Sequence, residues 1–218
     1  MNGIWGIYLL SWLILLLLGY FLGCLNGSVM ISHFVIRDDV RQHGSGNAGL
    51  TNFYRTYGAR YALGVILFDM GKTVLACLLG GLVMRYLAGD WRLGVLLGGL
   101  GCELGHMFPV FFGFKGGKGI LSGGTLVWLL DWRVGLIAWV LFAALWLLTK
   151  YVSLGSICAA ASMPVTTFFF CGQSILYTVL AVLIAALVIW CHRENITRLL
   201  HHQERKFQWH TGTPKEKE

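Results

Sequence analysis

Charge is what this chain has least of. Asp, Glu, Lys and Arg together supply 12% of its 218 residues, while 56% are hydrophobic. A soluble domain carries about twice that charged fraction, so a water-soluble globule is excluded. An all-α, polytopic membrane protein is expected, with room for roughly six to eight spans of about 20 residues each. No cleavable leader is expected either. The first apolar run has neither a basic start nor a small-residue cleavage site, so it is expected to stay as a helix. No C-x-x-C occurs: Cys24, Cys77, Cys102, Cys158, Cys171 and Cys191 are scattered through apolar runs. They read as small core hydrophobes, not as zinc ligands or a disulfide set. Acids are scarcer than bases, and the net charge is +7. In a membrane protein that balance points to cytoplasmic loops and anionic headgroups, not to nucleic acid.

Seven apolar segments can be drawn, at 4–24, 61–84, 93–112, 119–131, 134–149, 155–171 and 174–191. The fourth and fifth are short and can tilt, re-enter or merge, which leaves five or six full spans open. With the N-terminus outside, the loops falling inside (25–60, 113–118, around Lys150, and from 192 onward) hold 13 of the 17 Lys and Arg. Arg85, Arg92 and Arg133 fall outside and Lys72 lies within a span. That asymmetry predicts N-out, C-in and an odd number of spans. Gly94/Gly98, Gly101/Gly105, Gly155/Ala159 and Ser156/Ala160 are small-xxx-small pairs that let helices approach closely in lipid. Trp5, Trp91, Trp132 and Trp190 fall near segment ends, as interfacial anchors.

Against that apolar background stands GFKGGKG, at 113–119. Glycine brings backbone N–H groups close to an anion and takes positive φ without strain. Two lysines among glycines at a membrane boundary therefore make either a phosphate cradle or a short positive-inside loop. HGSGNAGLTN, at 43–52, contains G-x-G-x-x-G as Gly44, Gly46 and Gly49. A dinucleotide fold needs a strand before that motif and a helix after it; here a membrane span precedes, so that reading is set aside. The glycines, the hydroxyls of Ser45 and Thr51 and the amides of Asn47 and Asn52 remain able to wrap a phosphate. Arg55 adds a bidentate guanidinium contact. The alternative is a surface turn. Asp69 and Lys72 share one helical face, as a functional intramembrane pair or as an ion pair that fixes packing. Glu103 and His106 have the same spacing before Pro109; His106 is a general base or, the favoured reading, a hydrogen-bonding partner of the next loop. His33 and Asp38 match the H-x-x-x-x-D dyad of one class of glycerolipid acyltransferases, but its E-G-T-R companion is absent. HRENITRL, at 192–199, continues the last span and aligns His192, Asn195 and Leu199 on one stripe, with Arg193 and Arg198 beside them. Alone it is a juxtamembrane basic segment. The clusters at 43–55, 69–72, 103–119, 150–153 and 192–205 all fall at one side, where they are expected to converge into one cytoplasmic-facing site.

Taken together, GSGNAGLTN (44–52), FDMGK (68–72), GHMFPVFFGFKGGKG (105–119), KYVSLGSI (150–157) and HRENITRLL (192–200) resemble the bacterial acyl-phosphate:glycerol-3-phosphate acyltransferase family, the PlsY type. The resemblance covers nearly the whole chain, in order. It implies a membrane-embedded helical fold of about seven spans, N-out and C-in, in a bacterial inner membrane with the site facing the cytoplasm. It implies transfer of a fatty acyl group from acyl phosphate to the 1-hydroxyl of sn-glycerol 3-phosphate, the first step of phospholipid biosynthesis. Residues 1–209 then form a single acyltransferase domain and 210–218 a frayed polar tail. The residues implied in catalysis are Lys118, Ser45, Arg55, Asn195 and His192. Substrate or phosphate binding is expected at Gly44, Gly46, Asn47, Gly49, Thr51, Asn52, Lys72, His106, Lys115, Gly116, Gly117, Gly119, Ser153 and Arg193. The donor's own phosphate accepts the hydroxyl proton in that family, so positioning and charge stabilisation carry the reaction. No metal, cofactor or nucleic acid is called for, and a monomer among membrane lipids is expected. Three positions depart from the family pattern: Leu50 for Ala, Thr73 for Gly, and NGSVM at 26–30 without its proline. They leave open an altered-substrate or inactive paralogue, although Ser45, Arg55, Lys118 and Asn195 are all present. A transporter of an anionic solute is the alternative from another class; no inverted repeat supports it.

Overall fold

Backbone in hydrocarbon must satisfy its own hydrogen bonds, so apolar runs of this length become helices. The structure, a computed structural model, describes residues 2–208; the expected tail at 210–218 lies outside the described residues. Among the described residues seven helices fill the seven apolar segments: α1 (Asn2–Cys24), α4 (Ala59–Ala88), α5 (Trp91–Met107), α6 (Ile120–Leu130), α7 (Trp132–Thr149), α8 (Val152–Phe170) and α9 (Ile175–Cys191). Short helices α2 (Gly27–Ile31), α3 (Leu50–Tyr57) and α10 (Arg193–Leu200) sit in the polar stretches. Five segments are long and apolar enough to cross a bilayer alone. α9 passes that test only together with α10, from which it bends by 59°, and α6 is an apolar helix of 11 residues. The fourth and fifth segments do not merge: Asp131 separates them, and its carboxylate caps α7 by accepting from Arg133 N–H at 3.0 Å.

α5 is the central helix. A Cβ added to Gly94 would lie 2.0 Å from the Gly80 carbonyl oxygen of α4, and one on Gly98 would lie 2.3 Å from that of Ala76. On the other side, Gly101 and Gly105 press on the Leu16 and Tyr20 carbonyls of α1, at 2.3 and 2.0 Å from a hypothetical Cβ. The two glycine pairs thus serve two different neighbours, as backbone-to-backbone contact in lipid requires. The main core lies between these helices and α6 to α9. A smaller core of Val29, Val40, Ala48, Phe53, Ala62 and Val65 supports the polar segment between α1 and α4. Trp5, Trp132 and Trp190 are exposed at helix ends, and the outer faces of α1, α4, α7 and α9 are apolar and exposed, as a lipid-facing surface must be.

Chain direction puts the polar clusters singled out above at one end. The exits of α1, α5, α7 and α9 and the entries of α4, α6, α8 and α10 lie there. Contacts at the opposite end agree: Tyr177 Oη donates to Asp90 (2.7 Å), Arg92 pairs with Asp131 (2.9 Å), and Arg133 donates to the Phe170 carbonyl (3.0 Å).

Candidate active site

The 40–52 segment is folded around one side chain. Asn52 Nδ2 donates to the carbonyls of Val40 (3.1 Å), His43 (3.0 Å) and Asn47 (3.0 Å), while its Oδ1 accepts from Ser45 N–H (2.9 Å). A Cβ on Gly44, whose φ is +61°, would come within 2.3 Å of Asn52 Oδ1. Asn52 therefore spends its polar atoms on the loop's own backbone. Its expected role as a phosphate ligand becomes a role in shaping the loop that presents Ser45.

The 113–119 segment is organised in the same way, by α5. Gly116 N–H donates to the Met107 carbonyl (3.2 Å) and Gly117 N–H to that of His106 (3.0 Å). A Cβ on Gly117 would lie 2.2 Å from His106 Nε2. These two glycines exist because a histidine lies directly beneath them. Their amides face α5, which corrects the expectation that they cradle an anion. The two glycine loops also meet: the Gly116 carbonyl accepts from Ala48 N–H (3.3 Å) and Asn47 Nδ2 (3.4 Å). They form one wall, where two separate cradles were expected.

Under that wall lies a buried polar cluster. Lys72 Nζ stands 2.8 Å from the Asp69 carboxylate and donates to the Gly23 (3.1 Å) and Leu25 (2.9 Å) carbonyls and to His106 Nδ1 (3.0 Å). An ammonium only donates, so Nδ1 is the acceptor nitrogen of His106 and Nε2 carries the hydrogen, turned toward Gly117. The pair at 69 and 72 thus anchors α4 to the end of α1 and fixes the tautomer of His106. Lys72 lies off the cavity wall, with its charge consumed by carbonyls; so does Gly44. Thr73 is buried, bonded to the Asp69 carbonyl (2.8 Å), and away from the cavity, whereas Leu50 lines it. The H-x-x-x-x-D dyad does not form: Asp38 pairs with His43 (2.9 Å), while the His33 ring packs edge-on against Phe34. The hydrogen bond from His43 holds the Asp38 carboxyl below the usual range.

Above the wall opens a cavity of about 770 Å³, within the range of small-molecule sites. Of the expected residues, Ser45, Gly46, Asn47, Gly49, Thr51, Asn52, Arg55, His106, Lys115, Gly116, Gly117, Lys118, Gly119, Ser153, His192, Arg193 and Asn195 all line it. Six cationic side chains and three carboxylates face it, so its field favours anions. Lys118 Nζ donates to Asn195 Oδ1, and burial, followed by the Arg198 charge, pulls its pKa below the ordinary lysine range. Burial, with the neighbouring Arg205 charge, lowers that of Arg55. The His192 ring donates from Nδ1 to the Val188 carbonyl (2.8 Å); a carbonyl only accepts, so the neutral ring keeps a lone pair on Nε2.

Sequence reasoning missed the acid at the centre of this ring. Glu204 accepts from Ser153 Oγ (2.8 Å), Asn195 Nδ2 (2.7 Å) and Arg198 Nε (2.8 Å). Burial alone raises its pKa, but those three hydrogen bonds outweigh it and hold the carboxyl below the ordinary value. Past Glu204 the chain crosses the cavity mouth. Phe207 stacks on Tyr54 (5.6 Å), meets Trp146 edge-on (5.5 Å) and donates from N–H to the Lys150 carbonyl (2.8 Å). A lone acid in an otherwise basic stretch beyond α10 was the available signal.

Below the cations the same cavity runs on between α6, α7, α8 and α9, lined by Gly123, Gly124, Val127, Ala159 and Ala160 among others. Fold and site together define an integral-membrane protein in which one cavity sets a cationic mouth beside an apolar arm. A family model described as glycerol-3-phosphate acyltransferase matches residues 13–202. The glycerol-3-phosphate acyltransferase of Finegoldia magna is 37% identical over 201 residues, covering 90% of this chain and 98% of that one. That of Synechococcus sp. (strain CC9902) is 41% identical over 192 residues, covering 88% and 93%. The crystal structure of PlsY (YgiH), an integral membrane glycerol 3-phosphate acyltransferase, superposes in its glycerol 3-phosphate form with a TM-score of 0.80 at 36% identity, covering 91% of this chain and 96% of that one. Its lysophosphatidic acid form gives 0.77 at 35%. This chain belongs to the glycerol-3-phosphate acyltransferase family and is an acyltransferase of the PlsY type.

Proposed function

We propose that the protein transfers a fatty acyl group from acyl phosphate to the 1-hydroxyl of sn-glycerol 3-phosphate, at the cytoplasmic face of a bacterial inner membrane. One observation carries the reading: a single cavity joins a cationic mouth to an apolar arm. An acyl phosphate has that same division, and its reactive carbonyl falls at the junction. Arg55, Lys118 and Arg198 suit phosphoryl oxygens as charge-assisted donors, and Ser45 and His106 Nε2–H add neutral ones. In the reaction the 1-hydroxyl oxygen bonds to the acyl carbon. The anhydride C–O bond breaks, and inorganic phosphate departs with the electron pair and takes the hydroxyl proton. His192, with its lone pair at Nε2, orients that hydroxyl. Lys118 stabilises the charge gathering on the leaving phosphate. The likeness of this chain to solved glycerol 3-phosphate and lysophosphatidic acid forms of PlsY supports the same acceptor and product.

The test is direct. Purified protein in detergent, given acyl phosphate and labelled glycerol 3-phosphate without added metal, is expected to yield labelled lysophosphatidate and phosphate in equal amounts. Lys118→Ala is expected to lower kcat by about 10²–10³ without unfolding the protein. A folded Lys118→Ala enzyme with undiminished turnover removes the lysine from the mechanism. Dependence on acyl-CoA rules out the donor.

A further inference from the structure

The apolar arm has a floor. On α8 the lining descends one helical face from Ser153 and Ser156 through Ala159 and Ala160 to Met163, a run of about 15 Å at the α-helical rise. The deepest lining residues are Val127, Ala138, Met163 and Ile184, exposed by 4, 7, 3 and 1%. One turn further along each helix, Leu130, Val134, Thr167 and Ala181 are buried and do not line this cavity. At its deep end the arm is therefore closed by core packing. Above the floor small residues line its walls, Gly123 and Gly124 on α6 and Ala159 and Ala160 on α8. Trp139 Nε1 donates to the Gly124 carbonyl (2.9 Å) and pins one wall.

We infer that this floor, with Met163 as its adjustable part, measures the acyl chain and sets the longest group the enzyme transfers efficiently. The inference rests on the acyl-phosphate reading above. Met163 is the first long side chain on the α8 stripe, and an unbranched thioether fills whatever space is left to it. A chain that ends short of the floor leaves lining atoms without partners. A chain that overruns it must displace packed side chains or fold back. Each buried methylene contributes about fourfold in affinity, so successive chain lengths are resolved until the floor is reached and discrimination reverses beyond it.

The experiment is competition among saturated acyl phosphates of graded length, with the full-length protein in detergent and products counted by mass spectrometry. Met163→Ala deepens the tube and is expected to shift the optimum to longer chains, changing the long-to-short kcat/KM ratio about tenfold. Ala160→Leu narrows it partway down and is expected to shift the optimum the other way. Met163→Val serves as a milder cut should Met163→Ala fail to fold, and the KM for glycerol 3-phosphate reports an intact mouth. Active variants that keep the unsubstituted protein's order of preference overturn the ruler alone. Failure of the unsubstituted protein to use any acyl phosphate overturns the function proposed above, and the ruler with it.

Discussion

Gly117 is held to glycine by a ring nitrogen. His106 Nε2 occupies the space a methyl group needs, and His106 is itself fixed from behind by Lys72 and Asp69. Gly117→Ala is expected to destabilise the protein by about 1–3 kcal/mol, the usual cost of overpacking. It is also expected to lower kcat/KM by more than tenfold, because Lys118 follows directly; thermal unfolding in detergent and the transfer assay separate the two effects. The residue types of the site could be read in advance, since ionisable groups in so apolar a chain are few. Their partners could not. Asn52 looked like a phosphate ligand because its amide can donate and accept. Only the folded loop reveals four backbone groups already bonded to it. Glu204 went unnoticed for the opposite reason: its importance comes from Ser153, 51 positions away.

At the scale of elements, helix existence followed from hydropathy, while helix junctions depended on single capping side chains. Asp131 ends α6, caps α7 and pairs with both Arg92 and Arg133 (2.9 Å each). The hydrogen bonds from Arg133 hold its carboxyl down to about 2. Asp131→Ala is expected to cost about 1–2 kcal/mol through the lost cap, seen as a lower Tm. Its KM values are expected to stay unchanged, since the whole of α6 separates it from Gly119. The bend at His192 was not foreseen as a bend. A continuous helix was expected there, but the ring bonds back to Val188 and α10 turns by 59°. That turn carries Asn195 onto Lys118.

For the whole molecule, charge bias was enough to gather the polar loops at one end, because lipid leaves them nowhere else to go. What the bias could not supply is how the loops touch. The N-out, C-in orientation carries its own test. In a background without native cysteines, Ser45→Cys and Lys115→Cys are expected to react with an impermeant thiol reagent only in inverted vesicles. Tyr86→Cys, at the far end of α4, is expected to react only in right-side-out ones. Labelling of positions 45 and 115 from opposite sides dismantles the shared cavity and the transferase reading with it.

α5 is clasped along two faces by peptide carbonyls, with no side chain between as a cushion. Such a helix cannot rotate or slide alone, so when the bilayer thins or stretches, α1, α4 and α5 must respond as one plate. His106 rides at the edge of that plate, and its spacing from the loop above is kept constant by the same clasp. The outer helices α7 and α8 stand apart from that clasp and border the apolar arm. On the ruler proposed above, a change in acyl-chain preference is expected to arise there by drift in sequence, while the geometry around His106 stays fixed.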